Sequence, residues 1–378
     1  MRRFLRSTFL SLFPQSSFKS SVQAKSPVRS TSTTSVKMAA NIKNTAAWLT
    51  EAKAHPFQVK DAPSYTPEEN EILVKNHAVA INPVDGSLQS KAWWPMNYPT
   101  ILGQDVAGEV VQVGPNVTRF QPGDRVVGHA VGMATKRTQD NAFQAYTILQ
   151  TNMASQLPSE ISYEDAAVLP LGLSTAASGL FQDEFLGLQL PAEPRQPATG
   201  KILLVWGGAG SVGSNAIQLG VGAGYEVFTT ASPKNFDYVK RLGASQVFDY
   251  HSATVAEDLV DALQGKTLAG TMDCIGFAAT PLTVEVVSKS QGNKFVSTVK
   301  GGFQAPEGVT VKSVFGTTIK DNQVGKAIYE DYLPKALKAG TFIPAPVALV
   351  AGKGLDSVQA AVDLQAKGTS AQKVVVSL

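Results

Sequence analysis

Alternating apolar and polar positions divide most of the chain into regions of different structure. From Trp48 to about Gly128, short apolar or alternating runs such as EILVKNHAVAINP, GEVVQVG and DRVVGH are separated by glycine and proline, which predicts a compact, mostly β domain. From about Thr199 to Thr318, strand-like runs alternate with helix-like stretches, as when KILLVWGG leads into SVGSNAIQLGVG. Strands joined by helix-length connections predict a parallel, doubly wound sheet.

The C-terminal region has a third pattern. Two helix-like stretches, AIYEDYLPKALKAG and LDSVQAAVDLQAKG, precede the apolar run KVVVSL at the end of the chain. A terminal strand needs a partner, and the N-terminal β domain is the candidate, so we expect the α/β unit to be inserted within that domain. We place the two parts of the β domain at 44–175 and 319–378 and the inserted domain at 176–318.

Charge sets the first 43 residues apart as a basic leader. The first 50 residues carry eight Lys or Arg and no acid, whereas the remainder has 25 basic and 30 acidic residues. The opening MRRFLRSTFLSLF can form an amphipathic, Arg-rich helix, which is typical of mitochondrial or plastid targeting segments. A disordered tail, or a true start of translation at Met38, fits the same composition. We therefore expect a mitochondrial protein, or a cytoplasmic one if translation starts at Met38.

Composition narrows the classes of partner. The chain has 378 residues, of which 43% are hydrophobic, and its size is that of two or three domains. No uncharged apolar run reaches the roughly 18–20 residues of a membrane helix, and the mildly acidic body offers no broad basic surface for nucleic acid. The single cysteine, Cys274, excludes an internal disulfide and a multi-cysteine metal site. We expect neither a membrane nor a nucleic-acid partner.

A glycine motif predicts a dinucleotide site. In GGAGSVG, Gly208, Gly210 and Gly213 match G-x-G-x-x-G between the strand ILLVW and a helix. The first glycine permits a tight turn, the second lets the backbone approach a pyrophosphate, and the third lets the helix pack closely on the strand. The N-terminus of that helix then offers free N–H groups to the phosphates.

The end of the second strand favours NADPH over NADH. An NAD site usually has an acid there to bind the ribose 2′-OH, but YEVFTTASPKN ends in neutral residues followed by Lys234, and Glu226 lies at the strand's beginning. Ser232 and Lys234 offer a hydroxyl and a cation to a 2′-phosphate. Ser232 can equally cap the next helix, and the two roles are compatible.

Motifs along residues 44–378 resemble those of the medium-chain dehydrogenase/reductase superfamily. INPVDGS (81–87), ILGQDVAGEVVQVG (101–114), FQPGDRVVG (120–128), LPLGLSTAASGL (169–180) and GGAGSVG follow that family's order and spacing. The chain looks most like the zinc-independent, quinone-reductase-like branch, and ASPKNFDYVKRLGASQVFDY resembles the trans-acting enoyl reductases of fungal polyketide synthesis. The resemblance implies an α/β fold in which a GroES-like, mostly β catalytic domain holds an inserted Rossmann-type NADP-binding domain.

The same resemblance implies that no catalytic zinc is bound. Asn82, Gln104 and Leu171 stand at the positions of the three zinc ligands of the family's alcohol dehydrogenases, and none of them is a good ligand. The four histidines show no ligand spacing. Without a Lewis acid, alcohol oxidation becomes unfavourable, whereas reduction of a conjugated small-molecule acceptor remains open. That acceptor can be an enoyl thioester, an enone or a quinone.

Contacts to the cofactor and the substrate are carried over from the family position by position. The implied cofactor-binding residues are Val84, Gly208, Ala209, Gly210, Ser211, Val212, Gly213, Ser232, Lys234, Asn235, Tyr250, Thr298, Val299, Gly368 and Thr369. The implied substrate-side residues are Leu169, Pro170, Leu171, Gly172, Leu173, Ser174, Thr175, Phe315 and Gly316. For Ser174 and Thr175 the alternative is a helix N-cap, and for Tyr250 an exposed residue at a strand end.

The catalytic assignment departs from the family pattern. Zinc-independent relatives often have Tyr or Lys one or two positions after the aspartate of NPxD, where this chain has Gly86 and Ser87. Asp85 and Ser87 are the candidate catalytic residues, although a neutral serine is a poor general acid and Asp85 can simply cap a turn. Trp93, Trp94 and Tyr98 can wall a pocket or form core packing.

We expect an NADPH-dependent reductase of a conjugated acceptor, as a monomer or a homodimer. The alternative is a protein that binds NADPH without turnover and serves as a scaffold or sensor, which the missing Tyr or Lys favours.

Overall fold

A computed structural model describes residues 42–378. Residues 1–41, and with them nearly all of the predicted leader, lie outside the described residues, so the expectation of a targeting segment stays a prediction.

Three consecutive regions of secondary structure follow along the chain. The first contains β1 (Asn44–Leu49), β2 (Gln58–Ala62), β3 (Glu71–Ala80), α1 (Pro83–Lys91), β4 (Thr100–Ile101), β5 (Asp105–Val113), β6 (Arg125–His129), α2 (Gly132–Thr135), β7 (Tyr146–Gln150), β8 (Ala154–Gln156), α3 (Tyr163–Ala166) and α4 (Pro170–Phe181). The second contains β9 (Lys201–Trp206), α5 (Ser211–Gly222), β10 (Glu226–Ala231), α6 (Phe236–Arg241), β11 (Gln246–Asp249), α7 (Val255–Ala262), β12 (Thr267–Asp273), α8 (Ala279–Lys289), β13 (Phe295–Thr298) and β14 (Thr310–Ser313). The third contains α9 (Gln323–Lys326), α10 (Leu333–Ala339), β15 (Val347–Lys353), α11 (Val358–Ala366) and β16 (Gln372–Ser377).

The second region forms the predicted doubly wound sheet. Its six strands lie in the order β11-β10-β9-β12-β13-β14, and every neighbouring pair is parallel. This is the Rossmann order, in which the chain leaves β9 in one direction and later returns to its other side at β12. Ligands of such sheets bind outside the carboxyl ends of the strands, at the point where the order reverses.

The third region returns to the first domain, as the pattern of the C-terminal strand predicted. β16 pairs antiparallel with β3 and parallel with β15, so the end of the chain completes the sheet β15-β16-β3-β5-β6-β8, to which β7 adds by pairing with β3. The GroES-like and Rossmann fold class is confirmed. Helix α4 runs across the predicted boundary at residue 175 and packs against α5 of the inserted domain.

One predicted helix differs in its first half. Residues 327–332 form a π-helical segment before α10. Pro334 has no N–H to donate to the preceding turn, and a wider turn accommodates that missing bond.

No helix among residues 42–378 is long and apolar enough to cross a membrane.

The central sheet of the first domain depends on a close approach at Gly108 in β5. A Cβ built there would lie 2.1 Å from the carbonyl oxygen of Lys75 in β3, close to an irregularity in the β3–β5 register. We expect Gly108→Ala to lower the free energy of unfolding by more than about 2 kcal/mol, because backbone must move to relieve the clash. Thermal and urea unfolding measure this effect, with Glu109→Ala, at the half-buried next position, as the control. Equal stability of the two variants would contradict the predicted clash.

Candidate active site

The glycine loop between β9 and α5 has the close contacts that its sequence predicts. A Cβ at Gly213 would lie 2.2 Å from the carbonyl oxygen of Gly207, and one at Gly208 would lie 2.2 Å from Oγ1 of Thr229 in β10. At Gly210 the nearest neighbour of an added Cβ is 3.7 Å away. The first and third glycines therefore permit tight packing, and the second leaves open space above the helix N-terminus.

A cavity of about 660 Å³ opens above this loop at the carboxyl ends of β9, β10 and β11. Seven of the predicted cofactor-binding residues line it: Ala209, Gly210, Ser232, Lys234, Asn235, Tyr250 and Thr369. Residues not predicted from sequence line it as well, among them Trp206, Thr230, His251, Ile275, Leu282, Ser370 and Ala371. The position of the cavity agrees with the rule for ligand sites in doubly wound sheets.

Ser232 and its neighbours form the rim of this cavity beyond the end of β10. Asn235 donates from Nδ2 to Oγ of Ser232 and to Oγ of Ser370, both at 3.1 Å, and so joins the inserted domain to the loop before β16. Lys234 is exposed, and no acid stands at the end of β10. Thr230 accepts a hydrogen bond of 2.9 Å at Oγ1 from the backbone N–H of Gly207, which fixes the start of the glycine loop.

An unsatisfied hydroxyl in the first turn of α5 supports a phosphate ligand at this loop. Oγ of Ser211 is buried and has no hydrogen-bond partner among the described residues. A phosphate at the helix N-terminus would supply an acceptor for such a hydroxyl and for the free N–H groups. The residues of the loop therefore fit the dinucleotide that their pattern predicts.

Other predicted cofactor residues lie outside the lining of this cavity. Thr298 is buried at the end of β13 and donates from Oγ1 to Oδ2 of Asp273 at 3.1 Å, and the backbone N–H of Val299 donates to the carbonyl oxygen of Asp273. Gly368 has a φ of 86°, a conformation that favours glycine, just before Thr369. Val84 is half-buried in the first turn of α1. Their cofactor roles stay predictions.

A buried ion pair lies among the residues that stand where the family's alcohol dehydrogenases have their zinc ligands. Nζ of Lys373 is 2.9 Å from Oδ2 of Asp105, and the two side chains are 5% and 0% exposed. Lys373 also donates to Oδ1 of Asn82, whose Nδ2 donates to Asp105 at 2.8 Å. The other carboxylate oxygen of Asp105 accepts from the backbone N–H of Leu171 at 2.6 Å. An ammonium group, an amide and an aliphatic side chain are not a donor set for zinc.

Among residues 42–378 no group of three or more His, Cys, Asp or Glu side chains is placed to hold a metal ion.

Asp85 caps α1 from a buried position beside this ion pair. Its Oδ2 accepts from the backbone N–H of Asn82 at 2.8 Å, and Oδ1 has no partner among the described residues. Burial, and then the nearby charge of Asp105, raise the pKa of Asp85 to about 7. Near pH 7 about half of Asp85 is therefore protonated, and its side chain has a structural role in the cap of α1.

A further series of buried hydrogen bonds passes through Ser174. Nδ1 of His129 is 2.9 Å from Oγ of Ser174, which is 2.8 Å from the hydroxyl of Tyr329. Burial lowers the pKa of His129 to about 4, so the imidazole is neutral. Its Nε2 lies 3.4 Å from Oε1 of Gln104, which orients that amide. Ser174 thus connects two buried side chains.

A cluster of aromatic rings lies near Ser87, on the side predicted to bind the substrate. Nε1 of Trp93 donates to Oγ of Ser87 at 2.9 Å, and Trp93 meets Trp94 edge-on at 5.7 Å. Trp94 stacks on Phe315 with ring centroids 5.7 Å apart. The next residue, Gly316, lies so close to Thr175 that an added Cβ would be 2.7 Å from Oγ1 of Thr175.

In the 169–175 stretch, Leu171 and Thr175 are half-buried and the other predicted substrate-side residues are buried. The structure therefore brings Ser87, Thr175, Phe315 and Gly316 into one region through the tryptophans, whereas Leu169 and Leu173 belong to the core. The Trp93–Ser87 bond and the Lys373–Asp105 pair were missed from sequence. The neighbouring WW motif was a signal for the first, and a lysine in an apolar terminal strand was a signal for the second.

The proton on Asp85 predicts a pH-dependent stability. Folded Asp85 titrates near 7, but an unfolded aspartate titrates near 4, so the folded state binds the extra proton between these values and wild-type stability falls as the pH rises from about 4 to 7. Asp85→Asn removes this loss of stability and keeps a side-chain oxygen that can accept from the backbone N–H of Asn82. We expect the free energy of unfolding of the variant relative to wild type to increase by about 2–3 kcal/mol from pH 5 to pH 8.

Denaturant unfolding at both pH values measures this difference. Asp183→Asn, at an exposed position, controls for the loss of one carboxylate. A relative stability that is the same at pH 5 and pH 8 would contradict the raised pKa of Asp85.

Comparison with known proteins identifies the family. Residues 68–159 match the model of the alcohol dehydrogenase GroES-like domain. The zinc-binding alcohol dehydrogenase domain-containing protein cipB of Emericella nidulans is 87% identical over 341 residues, which cover 90% of this chain and 100% of cipB. Dehydrogenase pigH of Monascus ruber is 48% identical, with 89% of this chain and 99% of pigH covered. Trans-enoyl reductase himH of Aspergillus japonicus is 38% identical, with 90% and 98% covered.

Solved structures share the fold. An alcohol dehydrogenase superfamily protein from Novosphingobium aromaticivorans superposes with a TM-score of 0.73 at 23% identity, covering 89% of this chain and 99% of that protein. The CurK enoyl reductase superposes with a TM-score of 0.69 at 20% identity, covering 88% and 99%. With its matched GroES-like domain, its Rossmann sheet and these relatives, the chain belongs to the medium-chain dehydrogenase/reductase superfamily and is an oxidoreductase of that family.

Proposed function

We propose that the protein is a zinc-independent, NADPH-dependent reductase that acts on a conjugated carbonyl acceptor, with enoyl thioesters as the first substrate class. The observation that carries this proposal is the cavity above the glycine loop, whose rim offers a serine hydroxyl, an amide and a lysine where an NAD site would place an acid. When bound, NADPH supplies the hydride that such a reduction requires.

The rim favours NADPH on electrostatic grounds. A 2′-phosphate carries close to two negative charges at neutral pH and accepts strong hydrogen bonds from charged donors. Oγ of Ser232 already accepts from Asn235, so its own hydrogen is free for an acceptor, and Lys234 adds a cation at the same rim. An acid at either position would instead repel the phosphate.

The ion pair of Lys373 and Asp105 supports a mechanism without zinc. Asn82 and Asp105 are already committed to the ammonium of Lys373, and Leu171 contributes only its backbone N–H to Asp105. A divalent cation placed among these groups would meet a buried positive charge. A Lewis acid is most needed for an unactivated alcohol or carbonyl, whereas a conjugated acceptor is already electrophilic.

Ser87 is suited to orient the acceptor's carbonyl group. The indole N–H of Trp93 donates to Oγ of Ser87, which leaves the hydroxyl hydrogen of Ser87 free to donate to an oxygen of the substrate. Such a bond strengthens as negative charge develops on that oxygen. The rings of Trp93, Trp94 and Phe315 provide apolar surface next to it, on which the conjugated part of a substrate can pack.

The names of two relatives support the substrate class. Trans-enoyl reductase himH is a relative of nearly full length, and trans-enoyl reductase tndF of Aspergillus flavipes is 32% identical over 85% of this chain. Their names describe those proteins, and we extend the reaction class to this chain because the cofactor cavity and the position of Ser87 are compatible with it.

The choice of cofactor is tested by Ser232→Asp. The new carboxylate would stand against the 2′-phosphate, so we expect the ratio of kcat/KM for NADPH to that for NADH to fall about tenfold or more, equivalent to ~1.4 kcal/mol or more. Ser159→Asp adds the same charge at an exposed position outside the cavity and should leave the ratio unchanged. Circular dichroism and Tm verify that both variants are folded. A ratio in Ser232→Asp equal to that of wild type would contradict the pocket assignment.

The substrate class is tested with the full chain, NADPH, a medium-chain enoyl thioester and an o-quinone assayed in parallel. We expect turnover of the thioester. Turnover of the quinone alone would contradict the enoyl assignment, and tight NADPH binding without turnover of either compound would contradict the reductase proposal and favour a scaffold or sensor.

Ser87→Ala then tests the role of the hydroxyl. We expect kcat to fall by about tenfold to a hundredfold with little change in NADPH affinity, since one hydrogen bond to the developing charge is lost. Ser90→Ala is the matched control, because Ser90 lies in the same helix but bonds to the backbone oxygen of Gly86. Equal kcat values for the two variants would rule out a catalytic hydroxyl at Ser87.

A further inference from the structure

His251 lies at the cofactor cavity, although no sequence pattern singled it out. It lines the cavity together with Ser232, Lys234 and Tyr250. Nδ1 of His251 is 2.9 Å from Oδ1 of Asp249, and the backbone N–H of His251 donates to the same oxygen at 3.0 Å. One carboxylate therefore holds both the main chain and the ring of this residue.

The contact with Asp249 determines which ring nitrogen is available. With Nδ1–H donated to the carboxylate, Nε2 is the ring nitrogen left for a ligand. The bond from the backbone N–H of His251, and the ring itself, hold the pKa of Asp249 below its usual range. Asp249 is therefore ionised at neutral pH, and its charge is directed to the imidazole.

The parallel sheet places this pair beside Ser232. Asp249 at the end of β11 is in register with Ala231 at the end of β10, and Ser232 follows Ala231 directly. The backbone N–H of Tyr250 donates to the carbonyl oxygen of Ala231 at 3.4 Å. His251 thus belongs to the same edge of the sheet as the groups that favour a 2′-phosphate.

We propose that His251 is a further specificity-determining residue, whose imidazolium pairs with the 2′-phosphate of the adenosine moiety and makes the preference for NADPH depend on pH. This inference rests on the proposed use of NADPH. With Nδ1–H bonded to Asp249, only the imidazolium form of His251 has a second N–H, on Nε2, to donate to a phosphate, whereas the neutral ring presents a lone pair there.

Other charged or titratable groups also lie around His251. Lys234 and Tyr250 are the remaining titratable side chains among the described residues of the cavity lining, and Asp249 lies behind the ring. The helices next to β11 contribute Asp237, Lys240 and Arg241 from α6 and Glu257 and Asp258 from α7.

The phosphate itself titrates in the opposite sense. Its second ionisation lies near pH 6, so its charge, and with it the preference for NADPH, increases as the pH rises. Loss of the proton from His251 would instead decrease the preference. A lysine at position 251 provides a fixed cation, so the pH dependence of the preference in His251→Lys shows the contribution of the phosphate alone.

The test measures the ratio of kcat/KM for NADPH to that for NADH in the full chain at pH 6.5, 7.5 and 8.5 and constant ionic strength. From pH 6.5 to pH 8.5 we expect the wild-type ratio, divided by the ratio of His251→Lys at the same pH, to fall about two- to tenfold, because the lysine keeps its charge. For His251→Gln we expect a ratio below that of wild type at pH 6.5. Its change with pH should equal that of His251→Lys. His55→Gln is the matched control, since exposed His55 also pairs with a carboxylate, that of Asp363, but outside this cavity.

The outcomes distinguish this inference from the proposed function. A wild-type preference for NADPH that His251→Gln leaves unchanged at every pH would overturn the role of His251 and leave NADPH use standing. A wild type without preference for NADPH at any pH would overturn the proposed cofactor itself. A pH dependence that also disappears in His55→Gln would assign the effect to a general change in charge and overturn the inference.

Discussion

The ammonium of Lys373 and the carboxylate of Asp105, 2.9 Å apart and almost fully buried, join three segments that carry candidate site residues. Lys373 lies in the terminal strand, Asn82 is the N-cap of α1, and Leu171 lies in the first turn of α4. Removing one partner of such a pair leaves a buried charge without compensation, which typically costs about 3–5 kcal/mol. The pair therefore fixes how the last strand, the Ser87 helix and the helix with Thr175 meet.

This ion pair depends on the order in which the strands and domains follow one another along the chain. β16 must reach β3 for Lys373 to enter the interior, and it does so only after the whole inserted domain has been completed. The loop just before β16 contributes Thr369 and Ser370 to the cofactor cavity, and Ser370 accepts a hydrogen bond from Asn235. A single return of the chain thus closes the β sheet, places the buried cation and completes one wall of the cofactor cavity.

Local chemistry explains what could be predicted from sequence. The alternation of strands and helices predicted the parallel sheet, and the glycine spacing predicted a loop whose close contacts are set within about twenty residues. Lys373, His251 and the Trp93–Ser87 bond required distances between side chains that no local pattern encodes. Lys373 and Asn82 are 291 positions apart, and His251 approaches Ser232 only because β10 and β11 are in register. Such contacts follow from tertiary structure rather than from periodicity.

The two ends of the candidate site differ in their electrostatics, and the fold accounts for this difference. The adenosine end lies at the open carboxyl edge of a parallel sheet, where Lys234 and His251 are solvated and can carry charge at little cost. The proposed substrate end lies between α1, α4 and the rings of Trp94 and Phe315, next to Asp85, whose pKa burial raises to about 7, and to Lys373, which is paired with Asp105. We propose a neutral conjugated carbonyl for this end, because such a group develops negative charge only during the reaction, when the hydroxyl of Ser87 can donate to it.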